Sequence, residues 1–600
     1  MKRIQPSIQT SQFGTTVSAD GVHFRLWAPR QETVSIVIER QSFVLHPILD
    51  GWHEIFVPHA KASTLYQYRL ADGQRVPDPA SRFQPFDVHG PSEVIDPACY
   101  AWNDQGWRGR PWEEAVIYEL HVGTFTPRGT FLSAIKRFDW LVELGITAIE
   151  IMPVADFPGE RNWGYDGVLL FAPDSSYGRP EDLKALIDAA HARNIMVFLD
   201  VVYNHFGPEG NYLPLYAPIF TEHHNTPWGA AVNYDAAGSS MVRAFAVDNA
   251  AYWIEEFHFD GLRLDAVHNI HDDSGVHILD DVATRVRQLG LARPIHLILE
   301  NEDNDPRRLQ QSPSGQPVHY TAQWNDDIHH VLHVAATGEE TGYYLDYKND
   351  TDKLGRSLAE GFAFQGEFMT YRNDTRGHPS GRLSPTSFVA FIQNHDQIGN
   401  RAFGDRLTSL APSDAVRAIA AIYLLLPQVP MIFMGEEFAA STPFQFFCDF
   451  GPDLAKAVRE GRRNEFAKFP EFRDPAMRDR IPDPTSRQTF LASKLNWSRV
   501  SEPYHAEWAR LYRELIAIRH REIVPRLREI GPHAGRYVAL DTNVVMVNWT
   551  LNHGARLNLI ANLSPRPFQH SIALSSRKLW SAGLVASHLA PWGVVWTFDD

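Results

Sequence analysis

Residues 195–205 read IMVFLDVVYNH. The first nine are almost all apolar, with no alternation of inside and outside. A strand buried on both faces has this pattern. It stops abruptly at Asn204-His205. Upstream, a helix starting near Pro180 carries Leu183, Leu186, Ile187 and Ala190 on one side, with Asn194 at its end. Before that lies another apolar run, 146–154. It is preceded by Phe131, Ile135, Phe138 and Leu141 at helical spacing, with Gly145 placed to end that helix. A run at 116–122 starts the series. Further runs follow at 259–267, 295–300, 318–324, 388–394 and 429–434. Eight such runs, separated by helical patterns, predict a (β/α)8 barrel. The long gap at 206–240, rich in Pro, Asn, Tyr and His, predicts an excursion near the active-site face.

Outside this region the pattern changes. Short β-branched or aromatic runs occur at 22–27 (VHFRLW), 34–39 (VSIVIE), 52–57 (WHEIFV) and 65–70 (LYQYRL). Turn residues such as Asp50-Gly51 and Asp72-Gly73 separate them, which predicts a β-sandwich of immunoglobulin-like type. A proline-rich stretch, 77–97, reads as an extended linker packed on a surface. A helix near 503–529 closes the barrel region. Strand-like runs return at 537–541, 544–549, 557–561 and 592–598. The expected domains are therefore 1–97, a β-sandwich; 98–530, the barrel with its excursions; and 531–600, a small β-domain. Six hundred residues exceed one hydrophobic core, in keeping with this division.

Asp and Glu outnumber Lys and Arg 72 to 56, a formal net charge of −16. That disfavours nucleic acid and anionic membrane surfaces as partners, but says nothing against neutral ligands such as sugars. The two cysteines, Cys99 and Cys448, can build neither a disulfide framework nor a zinc cluster, which fits a reducing compartment. The opening MKRIQPSIQT has no apolar run after its basic residues, so no signal peptide is expected, and no transmembrane span. The expected location is the cytoplasm.

Reactive residues of such barrels sit at the C-terminal ends of the strands. The first run ends at His121. The third ends in Asp200, Asn204 and His205. The fourth ends in Arg263 and Asp265, the fifth at Glu300, the seventh in His395 and Asp396, and the eighth in Glu436-Glu437. Any one of these acids could simply cap a helix. As a set they resemble the convergence that glycosidic cleavage needs. One carboxyl protonates the departing oxygen, another attacks the anomeric carbon or positions water, and more negative charge stabilises an oxocarbenium-like transition state.

The same residues carry a family resemblance. The chain resembles the alpha-amylase family of glycoside hydrolases, whose four motifs are matched in order by 200–205 (DVVYNH), 261–265 (GLRLD), Glu300 after 295–299, and 391–396 (FIQNHD). The resemblance implies Asp265 as nucleophile, Glu300 as acid and then base, and Asp396 as holder of sugar hydroxyls and stabiliser of the distorted ring. It implies that Arg263 keeps Asp265 ionised, and that His205 and His395 bind hydroxyls of the sugar just before the cleaved bond. Tyr165, in 162–167 (NWGYDG), matches the family's stacking tyrosine. Asp200 fixes loop geometry and touches substrate only secondarily. His121 reads equally as a ligand contact or a packed histidine. Asn204 matches a calcium ligand of many amylases, but a calcium site needs six to eight oxygens. No metal and no cofactor are expected.

Within the family, 77–85 (PDPASRFQP), 88–91 (VHGP), 323–330 (QWNDDIHH), 397–401 (QIGNR), 434–437 (MGEE) and 444–450 (FQFFCDF) are similar to the trehalose-releasing branch. That implies hydrolysis of the α-1,4 bond joining a maltooligosaccharide to a terminal trehalose. The substrate would be maltooligosyltrehalose or related α-glucan oligosaccharides. Glu302, Trp324, Asp326, Gln397 and Glu437 are candidates for the leaving side. The one departure from the branch is Leu299, where a small residue commonly precedes the acid. A branching enzyme, an α-1,6 debranching hydrolase and a non-catalytic glucan-binding protein remain alternatives on the same scaffold. A nicotinamide oxidoreductase is disfavoured, because no Gly-x-Gly-x-x-Gly fingerprint follows any strand.

Overall fold

The computed structural model describes residues 12–313, 315–528, 530–569, 576–585 and 588–599. The stretch Met1–Thr10, read above for a signal peptide, lies outside them. Eight parallel strands close into a barrel in chain order: β1 Ile117–Leu120, β2 Ala148–Ile151, β3 Met196–Val201, β4 Gly261–Leu264, β5 His296–Leu299, β6 Ala322–Trp324, β7 Phe388–Ala390 and β8 Val429–Phe433. Closure is made by β8 pairing with β1, Met431 opposite Ile117. Each apolar run contains one strand. Every residue of all eight is buried, which explains the missing alternation.

The outward side chains meet helices. The helix Pro180–His191 starts with Pro at its first turn and buries Leu183, Leu186 and Ile187. The helix Phe138–Leu144 ends on Gly145 at φ 94°, a conformation only glycine adopts freely. The inward side chains form two zones. Low in the barrel an apolar plug includes Ile117, Ala148, Phe198, Ile298, Val389 and Met431. Above it the inward residues turn polar. Glu119 and Glu150 are direct partners on β1 and β2, and Asp200 and Arg263 are partners on β3 and β4.

The N-terminal part is two antiparallel sheets. Gly21–Trp27 and Trp52–Pro58 are central in one, Ser35–Ile38 and Leu65–Arg69 in the other. Phe24 of the first meets Tyr66 of the second edge-on at 4.9 Å. This body is held to the barrel at both ends. Near the catalytic rim, Gly159 N–H donates to Asp87, Arg30 donates to Pro214 O, and Arg179 pairs with Glu93. At the opposite rim the following strap is stapled down. Asp104 takes His191 Nδ1 at 3.0 Å and His258 Nδ1 at 2.8 Å, and His191 Nε2 lies 3.0 Å from Asp260. Trp102 stacks on His258 at 3.9 Å and Trp107 on His191 at 4.7 Å.

The C-terminal part is an antiparallel sheet of Gly535–Asp541, Val544–Thr550, Arg556–Asn562 and His588–Asp599. It includes a further strand, Arg577–Val585, that the sequence pattern does not predict. Trp596 Nε1–H donates to Ala421 O of a barrel helix, docking the sheet. Among the described residues no helix is long and apolar enough to cross a membrane.

Candidate active site

Arg263 organises the site. It is fully buried, its guanidinium lies 4.0 Å over the Trp324 ring, and its fork faces three carboxylates. Nη1 donates to Asp200 at 2.6 Å and to Asp265 at 2.9 Å, while Nη2 lies 2.8 Å from Glu300 Oε2. A planar, always-charged fork suits this better than a lysine point charge. Just after Asp265 the chain bends sharply at Ala266, φ 40°, in the left-handed region rare for a residue with a Cβ. The bend aims Ala266 N–H at Glu300 Oε2, 2.7 Å away.

Asp265 and Glu300 therefore form one electrostatic unit. Burial raises the Asp265 carboxyl far above the usual range, and the charge of Glu300 adds to this. Burial also raises Glu300, but Arg263, His268 and the Ala266 N–H outweigh it and draw the net value down. The field alone thus favours a shared proton on Asp265. The hydrogen bonds favour the reverse. Both Asp265 oxygens already accept, from Arg263 and from Asn204 Nδ2 at 3.1 Å, and a proton there would displace a donor. Among the described residues Glu300 accepts only on Oε2. We assign the proton to Glu300, because directed donors to an anion are the stronger interaction.

Asp396 stands across the site at the start of the short helix His395–Gly399, which Asn394 caps. His395 Nε2 lies 3.5 Å from Asp396 Oδ1. The His395 ring lies nearly parallel to Tyr165 at 5.1 Å. Tyr165 O–H donates to Asp200 at 2.6 Å. His205 Nε2 faces Tyr165 O at 2.8 Å, and Trp228, half-exposed on the excursion hairpin, stacks on the His205 ring at 4.4 Å. Burial lowers His205 to about 4, so it is neutral. Asp200 is pushed up to about 6 by burial, against the pull of Arg263 and Tyr165.

Other expected residues sit elsewhere. His121 is 1% exposed, and its ring is taken up by Thr124, Asn162 O and Tyr177. It is the packed histidine, and the expectation of a substrate contact is corrected: burial lowers it to about 3. Trp324 lies beneath Arg263 with 1% exposure, so it supports the guanidinium and presents no face to a sugar. Gln397 accepts the Asn394 N–H through its side chain and closes the helix cap, although it stays half-buried at the site's edge. Glu437 is wholly buried against Trp140 and Tyr118, and Glu436 against Tyr423 and Tyr512, both behind the site. Glu302 is exposed, and Asp326 is half-buried and close enough to Glu300 and Glu302 for its carboxyl to be raised by burial first and then by both.

Four residues of the site are absent from the sequence-based expectation. Glu119 and Glu150 lie in the middle of apolar runs, and a charge inside a doubly buried strand is itself a signal. His268 acts on Glu300 from the loop after β4. Trp228 sits in a hairpin whose position over His205 no local pattern reveals. Among the described residues, His224, Asp235 and Asp273 could together hold a metal ion. His224 and Asp235 already satisfy one another at 2.7 Å, and neither touches the carboxylates above. Asn204 spends its amide on Asp265.

The catalytic-domain model of the alpha-amylases matches residues 97–215, and a domain of unknown function (DUF3459) matches 532–596. Malto-oligosyltrehalose trehalohydrolase of Saccharolobus solfataricus is 43% identical over 88% of this chain and 90% of its own. The enzyme of the same description from Deinococcus radiodurans is 43% identical over 85% and 82%. A solved structure from Salmonella typhimurium, 43% identical, superposes with a TM-score of 0.94 over 98% of this chain and 100% of that one.

Proposed function

Because the chain belongs to the malto-oligosyltrehalose trehalohydrolases, a branch of the alpha-amylase family, we propose that it hydrolyses the α-1,4 bond next to the terminal trehalose of maltooligosyltrehalose, with retention. The products are trehalose and a shortened maltooligosaccharide. In this reading Asp265 attacks the anomeric carbon and Glu300 protonates the leaving oxygen. Glu300 then takes a proton from the water that releases the sugar. Asp396 holds ring hydroxyls and stabilises the positive transition state. Arg263 keeps Asp265 ionised. His205, His395 and Tyr165 seat the sugar before the cleaved bond, and Glu302, Asp326 and Gln397 face the departing trehalose.

The observation that carries this is the single guanidinium reaching both Asp265 and Glu300 within 2.9 Å. Two carboxyls held on one cation are consistent with the closely spaced pair of a retaining enzyme. The domains are taken as 1–97, 98–530 and 531–600. A reducing, cytoplasmic location is proposed, since both cysteines are unpaired.

A branching reaction is the second reading. A branching enzyme of Bacillus cereus is 27% identical over 70% of this chain. Product analysis separates the two. Trehalose released rapidly from maltooligosyltrehalose, with little action on maltooligosaccharide or amylose, supports hydrolysis. New α-1,6 branches on amylose without trehalose would transfer the chain to the branching enzymes. No change in any substrate would favour a non-catalytic glucan-binding protein.

A further inference from the structure

Glu119 lies on β1, points into the barrel and is 1% exposed. Its Oε1 is 2.5 Å from His395 Nδ1, and its Oε2 accepts the His395 backbone N–H at 3.2 Å. One carboxylate thus grips both the ring and the main chain of a residue that follows β7. The other ring nitrogen, Nε2, faces Asp396 Oδ1 at 3.5 Å. The ring faces are occupied by Tyr165, nearly parallel, and Trp163, edge-on at 5.5 Å.

We propose that Glu119 is a positioning residue for the reaction: it holds His395 as an imidazolium, so that a fixed N–H and a full positive charge face Asp396 and the sugar beside it. This rests on the reading of His395 and Asp396 as parts of the sugar site. The argument is one of lone pairs. A neutral imidazole has one N–H and one bare nitrogen. Protonated on Nδ1 alone, it would turn a lone pair to the Asp396 carboxylate. Protonated on Nε2 alone, it would turn one to Glu119 at 2.5 Å. With both carboxylates ionised, only the doubly protonated ring suits both ends.

The surrounding charges agree. Burial draws His395 down, but Asp396 and Glu119 raise it to about 9, against the opposing charge of Arg263. Glu150, Asp200 and Glu300 also feel the same ring or its neighbours from β2, β3 and β5. His121, near the same ring, is neutral. His205 and His121 have no carboxylate on either ring nitrogen and fall to about 4 and about 3. The two carboxylates, Asp396 on one side and Glu119 on the other, set His395 apart from them, and Glu119 alone also bonds its ring nitrogen at hydrogen-bond distance.

The test is Glu119→Gln, which leaves an oxygen to accept from Nδ1 and removes the charge. In ¹⁵N-histidine-labelled protein, with His395 assigned by its loss in His395→Gln, the wild-type ring should stay doubly protonated to a midpoint near 9. In Glu119→Gln the midpoint should fall by about two units, and kcat on maltooligosyltrehalose should be close to wild type at about pH 5.5 and drop about tenfold by about pH 8, with KM changed less. An unchanged titration or pH profile in a folded Glu119→Gln overturns the proposal. Should that variant not fold, the wild-type titration still decides, since a midpoint below about 7 overturns it. Wild-type protein that fails to cleave maltooligosyltrehalose would refute the functional reading instead, and leave the titration to judge Glu119.

Discussion

Replacing Glu436 by glutamine should stabilise the protein at alkaline pH and do little in acid. Glu436 is fully enclosed behind the site, and its Oε1 accepts from Tyr423 and Tyr512 hydroxyls. Burial lifts its carboxyl from 4.5 to about 7. The folded state thus holds this proton more tightly than the unfolded state does. The stabilisation is complete below about pH 4.5 and is lost as pH rises through about 7. A shift of that size corresponds to about 3 kcal/mol at about 1.36 kcal/mol per unit. Glutamine keeps the accepting oxygen and carries no proton to lose. Urea unfolding followed by tryptophan fluorescence, at about pH 5 and about pH 8.5, measures the gap between variant and parent. The gap should move in favour of the variant by about 2.5 kcal/mol from the first pH to the second. A gap that does not move with pH would show that Glu436 is ionised in the folded protein, and that the tyrosines, not burial, govern it.

Asp265→Ala and Glu300→Gln should each lower turnover at least about 10³-fold while far-ultraviolet circular dichroism stays unchanged; substantial hydrolysis by a folded Asp265→Ala would remove it as nucleophile. Arg263→Lys should lose roughly 10²-fold in kcat, because one ammonium cannot span Asp200, Asp265 and Glu300 or lie flat on Trp324, and steady-state kinetics near wild type would contradict that. Among the described residues Glu150 has no hydrogen-bond partner on either oxygen, and burial, with Asp200 adding, raises its carboxyl well above the usual range and so favours the neutral form. Glu150→Gln should therefore keep activity within about threefold and unfold no earlier than the parent, whereas a large loss in a calorimetric scan would mean the native group is charged.

The barrel is legible in the sequence because its strands are buried on both faces, and a continuous apolar run repeated at helical intervals fits few architectures besides a parallel barrel. The runs overshoot the strands, as 388–394 overshoots Phe388–Ala390, since buried apolar residues such as Phe391 and Ile392 continue past the strand. The three carboxylates, Arg263, His205 and His395 are legible too, because they follow or end the strand runs, whereas Tyr165, in a loop well past β2, is found only through the family resemblance. What a strand end does not reveal is the direction of each side chain. His121, Trp324 and Glu437 occupy the same kind of position as Asp265, yet one is packed, one lies under Arg263 and one turns away behind the barrel. The strand Arg577–Val585 is hidden because its sequence, RKLWSAGLV, mixes exposed and half-buried positions with a glycine and gives no clean alternation.

The N-terminal sandwich is fastened near the catalytic rim through Asp87, Arg30 and Glu93, and at the far rim through the strap that Asp104, Trp102 and Trp107 staple to His191 and His258. A body pinned at two ends has no free axis about which to swing. It cannot serve as a moving lid, and a glucan that needs the cleft to widen must find that freedom in the rim loops, such as the hairpin whose half-exposed tip stacks Trp228 on the His205 ring.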